Sequence, residues 1–170
     1  VVDKVFMAST HDYLLCFTNK GRAYWLRVYD IPEGSRTAKG KAIVNLLNLT
    51  DEDVSAVIPL RSFDSDKYFL YATKSGRIGK FSQDLFSRPR AGGIIGMTLL
   101  DGDELVDVVM TNGKSDVVLT TAYGQSLRFS EEEVRATGRG SQGVIGIKMK
   151  YEEDRVCGLT LVDEKAKYLF

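Results

Sequence analysis

Leu14-Leu15-Cys16-Phe17-Thr18-Asn19-Lys20-Gly21-Arg22 is an apolar run that ends in a threonine, two polar residues and a glycine. Two later stretches repeat the pattern: Phe69-Leu70-Tyr71-Ala72-Thr73-Lys74-Ser75-Gly76-Arg77 and Val117-Val118-Leu119-Thr120-Thr121-Ala122-Tyr123-Gly124-Gln125. In each a threonine stands three residues before a glycine, and Gly21, Gly76 and Gly124 recur at intervals of 55 and 48 residues. Short runs rich in Val, Phe, Tyr and Thr, bounded by Asn, Ser and Gly, read as strands. The glycine supplies the positive φ that a tight hairpin demands. A unit recurring at this period is the mark of an array of small sheets stacked side by side.

A second glycine follows the first at a similar distance: Gly40, Gly93 and Gly143 come 19, 17 and 19 residues later. Each opens an apolar stretch, Ala42–Leu46, Ile94–Leu99 or Val144–Met149. An acidic turn comes next (Asp51-Glu52-Asp53, Asp101-Gly102-Asp103-Glu104, Glu152-Glu153-Asp154), and another strand starts at Val54, Leu105 or Val156. Each repeat therefore reads as a sheet of about four strands. The expected fold is all-β and propeller-like, with repeats over residues 1–60, 61–111 and 112–163 and a further copy beginning over 164–170. Helix is confined to single turns. Ser130-Glu131-Glu132-Glu133 fits a capping box, and Ser82-Gln83-Asp84-Leu85-Phe86 holds the same place in the second copy. The runs Val1–Val5 and Lys165–Phe170 read as strands that lack neighbours, an arrangement that invites self-association.

Composition excludes several function classes. With 44% hydrophobic and 27% charged residues, the 170-residue chain has the balance of a globular domain. No apolar run approaches the ~18 residues of a membrane span, and Val1-Val2-Asp3-Lys4-Val5 lacks the character of a signal peptide. Cys16 and Cys157, each in an apolar run, read as buried free thiols of a reducing, cytoplasmic compartment. A single histidine, His11, leaves too few ligands for zinc. His11 beside Asp12 has no third partner for nucleophilic catalysis. Gly138-Arg139-Gly140-Ser141-Gln142-Gly143 matches the dinucleotide glycine pattern, yet a Glu-rich turn precedes it and a strand follows, where that motif needs a strand and a helix. No catalytic residue, metal or cofactor is expected within these residues.

The 23 basic and 23 acidic residues cancel, so the information lies in their placement. Cations concentrate after each hairpin glycine: Arg27, Arg36, Lys39 and Lys41; Lys80, Arg88 and Arg90; Arg128, Arg135 and Arg139. Acids pool in the turns after the second glycine. Strand alternation places Tyr24, Leu26, Gly79, Phe81, Leu127 and Phe129 on one face, and Trp25, Arg27, Lys80, Ser82, Arg128 and Ser130 on the other. On that second, polar face Arg27, Lys80 and Arg128 form a ladder of cations suited to a phosphate backbone, with the basic loops beside it. Trp25 reads as packing at a sheet edge, and a stacking platform for bases is the alternative.

Several ordered motifs resemble one family. Thr10–Phe17 with Gly21-Arg22-Ala23-Tyr24, Ser35–Leu47, Asp101–Leu105, and Val134–Gly138 with Gly143–Ile147 are similar to the C-terminal domain of the DNA gyrase A protein. That resemblance implies about three blades of a six-bladed β-pinwheel, a propeller relative whose blades exchange strands. It implies wrapping of double-stranded DNA around a basic outer edge. The parent would be an ATP-dependent type II topoisomerase whose ATP and Mg act through other domains, with the rest of the gyrase A protein and the gyrase B protein as partners and no membrane. The family's Gln-Arg-Arg-Gly-Gly-rich box does not occur in this sequence. Two alternatives accompany this reading: the related topoisomerase IV subunit, and a protein-binding propeller scaffold, which predicts no DNA shift and little salt dependence.

Overall fold

A computed structural model describes residues 5–162. Three small sheets follow one another. The first copy contributes β1 (Tyr13–Thr18), β2 (Arg22–Arg27), a helical turn α1 (Ile43–Leu46) and β3 (Val54–Leu60). The second contributes β4 (Tyr68–Thr73), β5 (Arg77–Ser82), β6 (Ile94–Ile95) and β7 (Leu105–Thr111). The third contributes β8 (Asp116–Thr121), β9 (Ser126–Ser130), β10 (Ala136–Thr137), β11 (Val144–Ile145) and β12 (Val156–Leu161). Single 3-10 turns at Val28–Asp30, Gln83–Phe86 and Glu131–Glu133 follow β2, β5 and β9. In the last of these Ser130 Oγ accepts from Glu132 N at 3.3 Å.

The threonine–glycine signature is explained at the hairpins. Gly21, Gly76 and Gly124 have φ of 80°, 89° and 85°, a region closed to most side chains. Their N–H groups donate to the carbonyls of Thr18, Thr73 and Thr121 at 3.0, 3.0 and 3.1 Å. The same threonines accept, through Oγ1, from the backbone N–H of Arg22, Arg77 and Gln125 at 3.2, 3.3 and 3.1 Å. Each threonine thus satisfies two donors of its turn.

Sheets and repeats are out of step. The strand orders are β3-β1-β2-β6, β7-β4-β5-β10 with β11 also on β5, and β12-β8-β9. The second copy therefore lends β6 to the first sheet, pairing Ile94 with Ala23. The third lends β11 to the second, pairing Val144 with Ile78, and β10 runs parallel to β5. This is the strand exchange that the family resemblance implies. The hairpin glycine is the docking point: Gly21 O accepts from Gly96 N (2.9 Å) and Met97 N (3.1 Å), and Gly76 O from Gly146 N (2.8 Å) and Ile147 N (3.1 Å). A Cβ on Gly21 would stand 2.6 Å from Met97 O, so the close approach requires glycine as well.

The first copy breaks the pattern. In place of an extended apolar run over Ala42–Leu46, Ile43–Leu46 forms α1. Gly96 and Gly146 lie against the docking carbonyls, where a Cβ would come within 3.2 Å of Gly21 O or Gly76 O. Ile43 holds the corresponding position, three residues after the second glycine. The segment folds over its own blade, where Ile43, Leu46, Leu47 and Leu49 cover Leu14, Cys16, Tyr24 and Leu26.

Two cores lie between blades. Leu15, Phe17 and Ala23 meet Phe69, Tyr71, Phe81 and Phe86, with Phe17, Phe69 and Phe86 in mutual edge-to-face contact at 5.4–5.7 Å. Leu70, Ala72 and Ile78 meet Val117, Leu119, Val134 and Ile147. The middle sheet is buried on both faces, as its nearly unbroken apolar run Phe69–Ala72 requires. β3, β7 and β12 pack side by side on the inner side, which leaves the exchanged strands on the outer rim. Cys16 is buried as expected, and burial pushes its thiol up to about 12. Cys157 is exposed: β12 has its other face open at that point. The terminal runs 1–4 and 165–170, and the start of a fourth copy over 164–170, lie outside the described residues.

Candidate nucleic-acid interface

The basic segments become loops of the outer rim. Residues 31–42 run from the first 3-10 turn to α1, residues 87–93 from the second to β6, and residues 134–143 from the third to β11. Arg36, Lys39, Lys41, Arg88, Arg90, Arg135 and Arg139 are all exposed on them. Arg27, at the end of β2, is exposed with its guanidinium 5.8 Å from the Tyr13 ring centroid.

The expected ladder of Arg27, Lys80 and Arg128 does not exist. Lys80 is 6% exposed. Its Nζ donates to Glu131 O at 2.8 Å, lies 3.8 Å from Glu131 Oε2 and sits 5.3 Å from the Tyr68 ring centroid. Glu131 is fully buried, and its carboxylate accepts from Thr111 Oγ1 and from Ser115 N, each at 2.7 Å. The ladder requires one solvated strand face. In a stack of sheets both faces of an inner blade are covered, so the fourth position after the hairpin glycine points at the next blade. Trp25, the equivalent residue of the first copy, also reaches the next blade: its Nε1 donates to Phe86 O at 2.9 Å, at the other end of that blade's 3-10 turn. Trp25 and Lys80 therefore act alike, each donating to a carbonyl of the following blade's 3-10 turn. Trp25 packs at this joint between blades. Arg128 is exposed, but its guanidinium is committed to Asp116 Oδ2 through Nε at 2.9 Å and Nη2 at 2.6 Å.

The residue directly after each hairpin glycine, absent from the sequence-based candidates, also faces the next copy. Arg22 Nη2 donates to Gly92 O at 2.7 Å. Arg77 donates through Nε to Gln142 O at 2.8 Å and through Nη2 to Gly143 O at 2.7 Å. Nearby, the Tyr71 hydroxyl donates to Ser141 O at 3.2 Å. Burial pushes that hydroxyl up to about 12, against the opposing pull of Arg77 and the Ser141 hydrogen bond, so it remains a donor. The repeat register was the signal that could have marked these arginines, since the same type occupies the same position twice.

The structure brings some candidate cations together. Arg27 and Arg90 line one cleft of about 410 Å³ with Tyr13, Trp25 and Asp30. Arg135 and Lys80 line another of about 450 Å³, joined by Lys114, which is not among the sequence-based candidates, and by Asp66 and Glu132. The third loop is stitched to the exchanged strand of the second copy: Arg139 Nη1 donates to Ile95 O at 3.3 Å, Gly140 N to Gly96 O at 2.9 Å and Thr98 N to Ser141 O at 3.2 Å. The third basic loop is thus tied to the segment that directly follows the second one. Among the described residues there is no grouping of His, Cys, Asp and Glu that could hold a metal ion, and no helix long and apolar enough to cross a membrane.

The family described as DNA gyrase C-terminal domain, beta-propeller, matches residues 12–61, 67–112 and 115–162. The chain belongs to that family. Curated relatives are DNA gyrase A proteins, among them that of Klebsiella oxytoca, 46% identical over 93% of this chain. The chain spans 18% of that relative's length. Among solved structures, the C-terminal domain of DNA topoisomerase IV superposes with a TM-score of 0.82 at 32% identity, over 92% of this chain and 49% of that one. The DNA gyrase A C-terminal domain superposes with a TM-score of 0.74 at 31% identity, over 92% and 50%. The fold is shared by both, and the greater identity lies with the curated gyrase relatives.

Proposed function

We propose that this chain binds and bends duplex DNA around its outer rim, without chemistry of its own, as part of a gyrase A protein that supercoils DNA in the cytoplasm. The observation that supports it most is the placement of exposed cations on rim loops that recur at the same place in each copy, two of them hydrogen-bonded to the blade before them. In this reading Arg27, Arg36, Lys39, Lys41, Arg88, Arg90, Arg135 and Arg139 contact phosphates. Lys80 and Arg128, committed to Glu131 and Asp116, do not. Phosphate contacts carry little sequence information, so the binding tolerates any duplex. Bending a 20–30 bp site by 40–90° costs about 1–6 kcal/mol, and several contacts along an arc offset that. The remainder of the gyrase A protein, the gyrase B protein, and the ATP and Mg that drive the cycle belong to the parent enzyme in this reading.

The test is a gel-shift titration with linear duplex DNA at several salt concentrations. With roughly six of these eight cations on phosphates at once, log K should fall with log salt at a slope near about −5, from ~0.9 per contact. No shift at low salt, or a slope near zero, would overturn the proposal in favour of a protein-binding scaffold.

A further inference from the structure

We infer that Arg22, Trp25, Arg77 and Lys80 are positioning residues for DNA binding: they suspend the second and third basic loops from the preceding blade, so that each loop's hold on DNA and the angle between blades change together. The inference rests on the DNA reading above and adds residues that touch no nucleic acid.

Each inter-blade loop is fastened at both ends by one strand of its neighbour. The loop at 87–93 begins at Phe86, whose carbonyl accepts from Trp25, and ends at Gly92, whose carbonyl accepts from Arg22. The loop at 134–143 begins beyond Glu131, whose carbonyl accepts from Lys80, and ends at Gln142 and Gly143, whose carbonyls accept from Arg77. The two donors are three residues apart on β2 and again on β5. Arg88 and Arg90, or Arg135 and Arg139, lie in between. Such a loop is fixed to the blade behind it as firmly as to its own, so a pull on its arginines is felt at the joint. Arginine suits the far end because its planar fork can meet two successive carbonyls at once.

The third copy supplies an internal contrast. Gln125 replaces the arginine after the hairpin glycine, and it turns back on its own repeat: Oε1 accepts from Lys150 N at 2.9 Å and Nε2 donates to Lys148 O at 3.4 Å. No following blade lies beside this hairpin among the described residues, so what Gln125 shows is that glutamine fits the turn itself, which makes Arg77→Gln a substitution the hairpin tolerates.

The experiment uses the whole chain with a duplex carrying a fluorophore at each end. FRET reads the bend, the salt dependence of binding counts phosphate contacts, and hydrogen exchange without DNA reads the loop. Arg77→Gln should speed exchange across residues 138–147 and lose part of the FRET gain, with the salt slope unchanged. Arg77→Lys, which keeps the charge on a single donor nitrogen, should restore part of both. Arg22→Gln tests the other joint in the same way if Arg77→Gln fails to fold. A slope shallower by about 0.9 would make Arg77 a phosphate contact and overturn the inference. So would unaltered exchange, or a loosened loop that bends DNA like the wild type. A wild-type chain that shifts no DNA overturns the proposed function and the coupling with it; the other outcomes overturn the coupling alone.

Discussion

The two joints between blades are made of different chemistry, although in each the fourth residue after the hairpin glycine donates to the next blade's 3-10 turn. At the first, Trp25 brings a neutral N–H to Phe86 O amid four packed aromatic rings. At the second, Lys80 brings an ammonium to Glu131 O, with the Glu131 carboxylate alongside and the Tyr68 ring 5.3 Å away. The second copy carries neutral Gln83 where the third carries Glu131, each the first residue of its 3-10 turn. The comparison teaches that what the repeat preserves is a donor aimed at the following blade's 3-10 turn, at its last residue in one joint and its first in the other. Its charge is free to vary provided that the next blade supplies the counter-charge.

The largest effect should come from removing the counter-charge. Glu131→Ala leaves the Lys80 ammonium buried and unpaired and frees Thr111 and Ser115 N of their acceptor. A loss of about 3–5 kcal/mol in urea unfolding is expected; a loss below about 1 kcal/mol would mean that water reaches the pair. At the neutral joint, Trp25→Phe keeps the ring and removes the donor. It should cost about 1–3 kcal/mol, the range for a buried carbonyl left without its partner. A cost equal to that of Glu131→Ala would erase the distinction between the joints.

Lys80→Met combined with Glu131→Gln converts the second joint to a neutral one. Stability should return to within about 1 kcal/mol of the wild type, because a buried ion pair gains little over a well-packed neutral replacement. Failure of the double variant to recover from the Glu131 loss would show that the charge itself holds the blades. Arg128 occupies the same register as Trp25 and Lys80, yet its pair with Asp116 is exposed. Arg128→Ala should therefore cost only about 0.2–1 kcal/mol, as read by thermal unfolding. Smallest in stability, within about 0.5 kcal/mol, is Arg27→Ala with Arg90→Ala on the rim. That variant should still make the salt slope of DNA binding shallower by about two units, whereas Lys80→Met with Glu131→Gln should leave the slope unchanged. The reverse result would return Lys80 to the DNA surface.

Much was legible in the sequence because it is local. A hairpin closes within a few residues, so Thr18, Thr73 and Thr121 with Gly21, Gly76 and Gly124 announce strand, turn and strand through their own φ and hydrogen-bonding needs. Recurrence then fixes the class of fold, and the exposed basic loops follow from their Gly- and Arg-rich composition. What the tertiary structure alone decided is which face of each strand meets solvent. Alternation says that Lys80 and Phe81 point opposite ways; it is silent on whether either side is wet. Once blades stack, both sides of β5 are dry, and a lysine that reads as a surface charge becomes a buried donor to a carbonyl 51 residues away. The partners of Arg77, 65 and 66 residues along the chain, were hidden for the same reason. A residue's own chemistry sets what it can bond to, and only the packing of one repeat against the next sets what lies within reach.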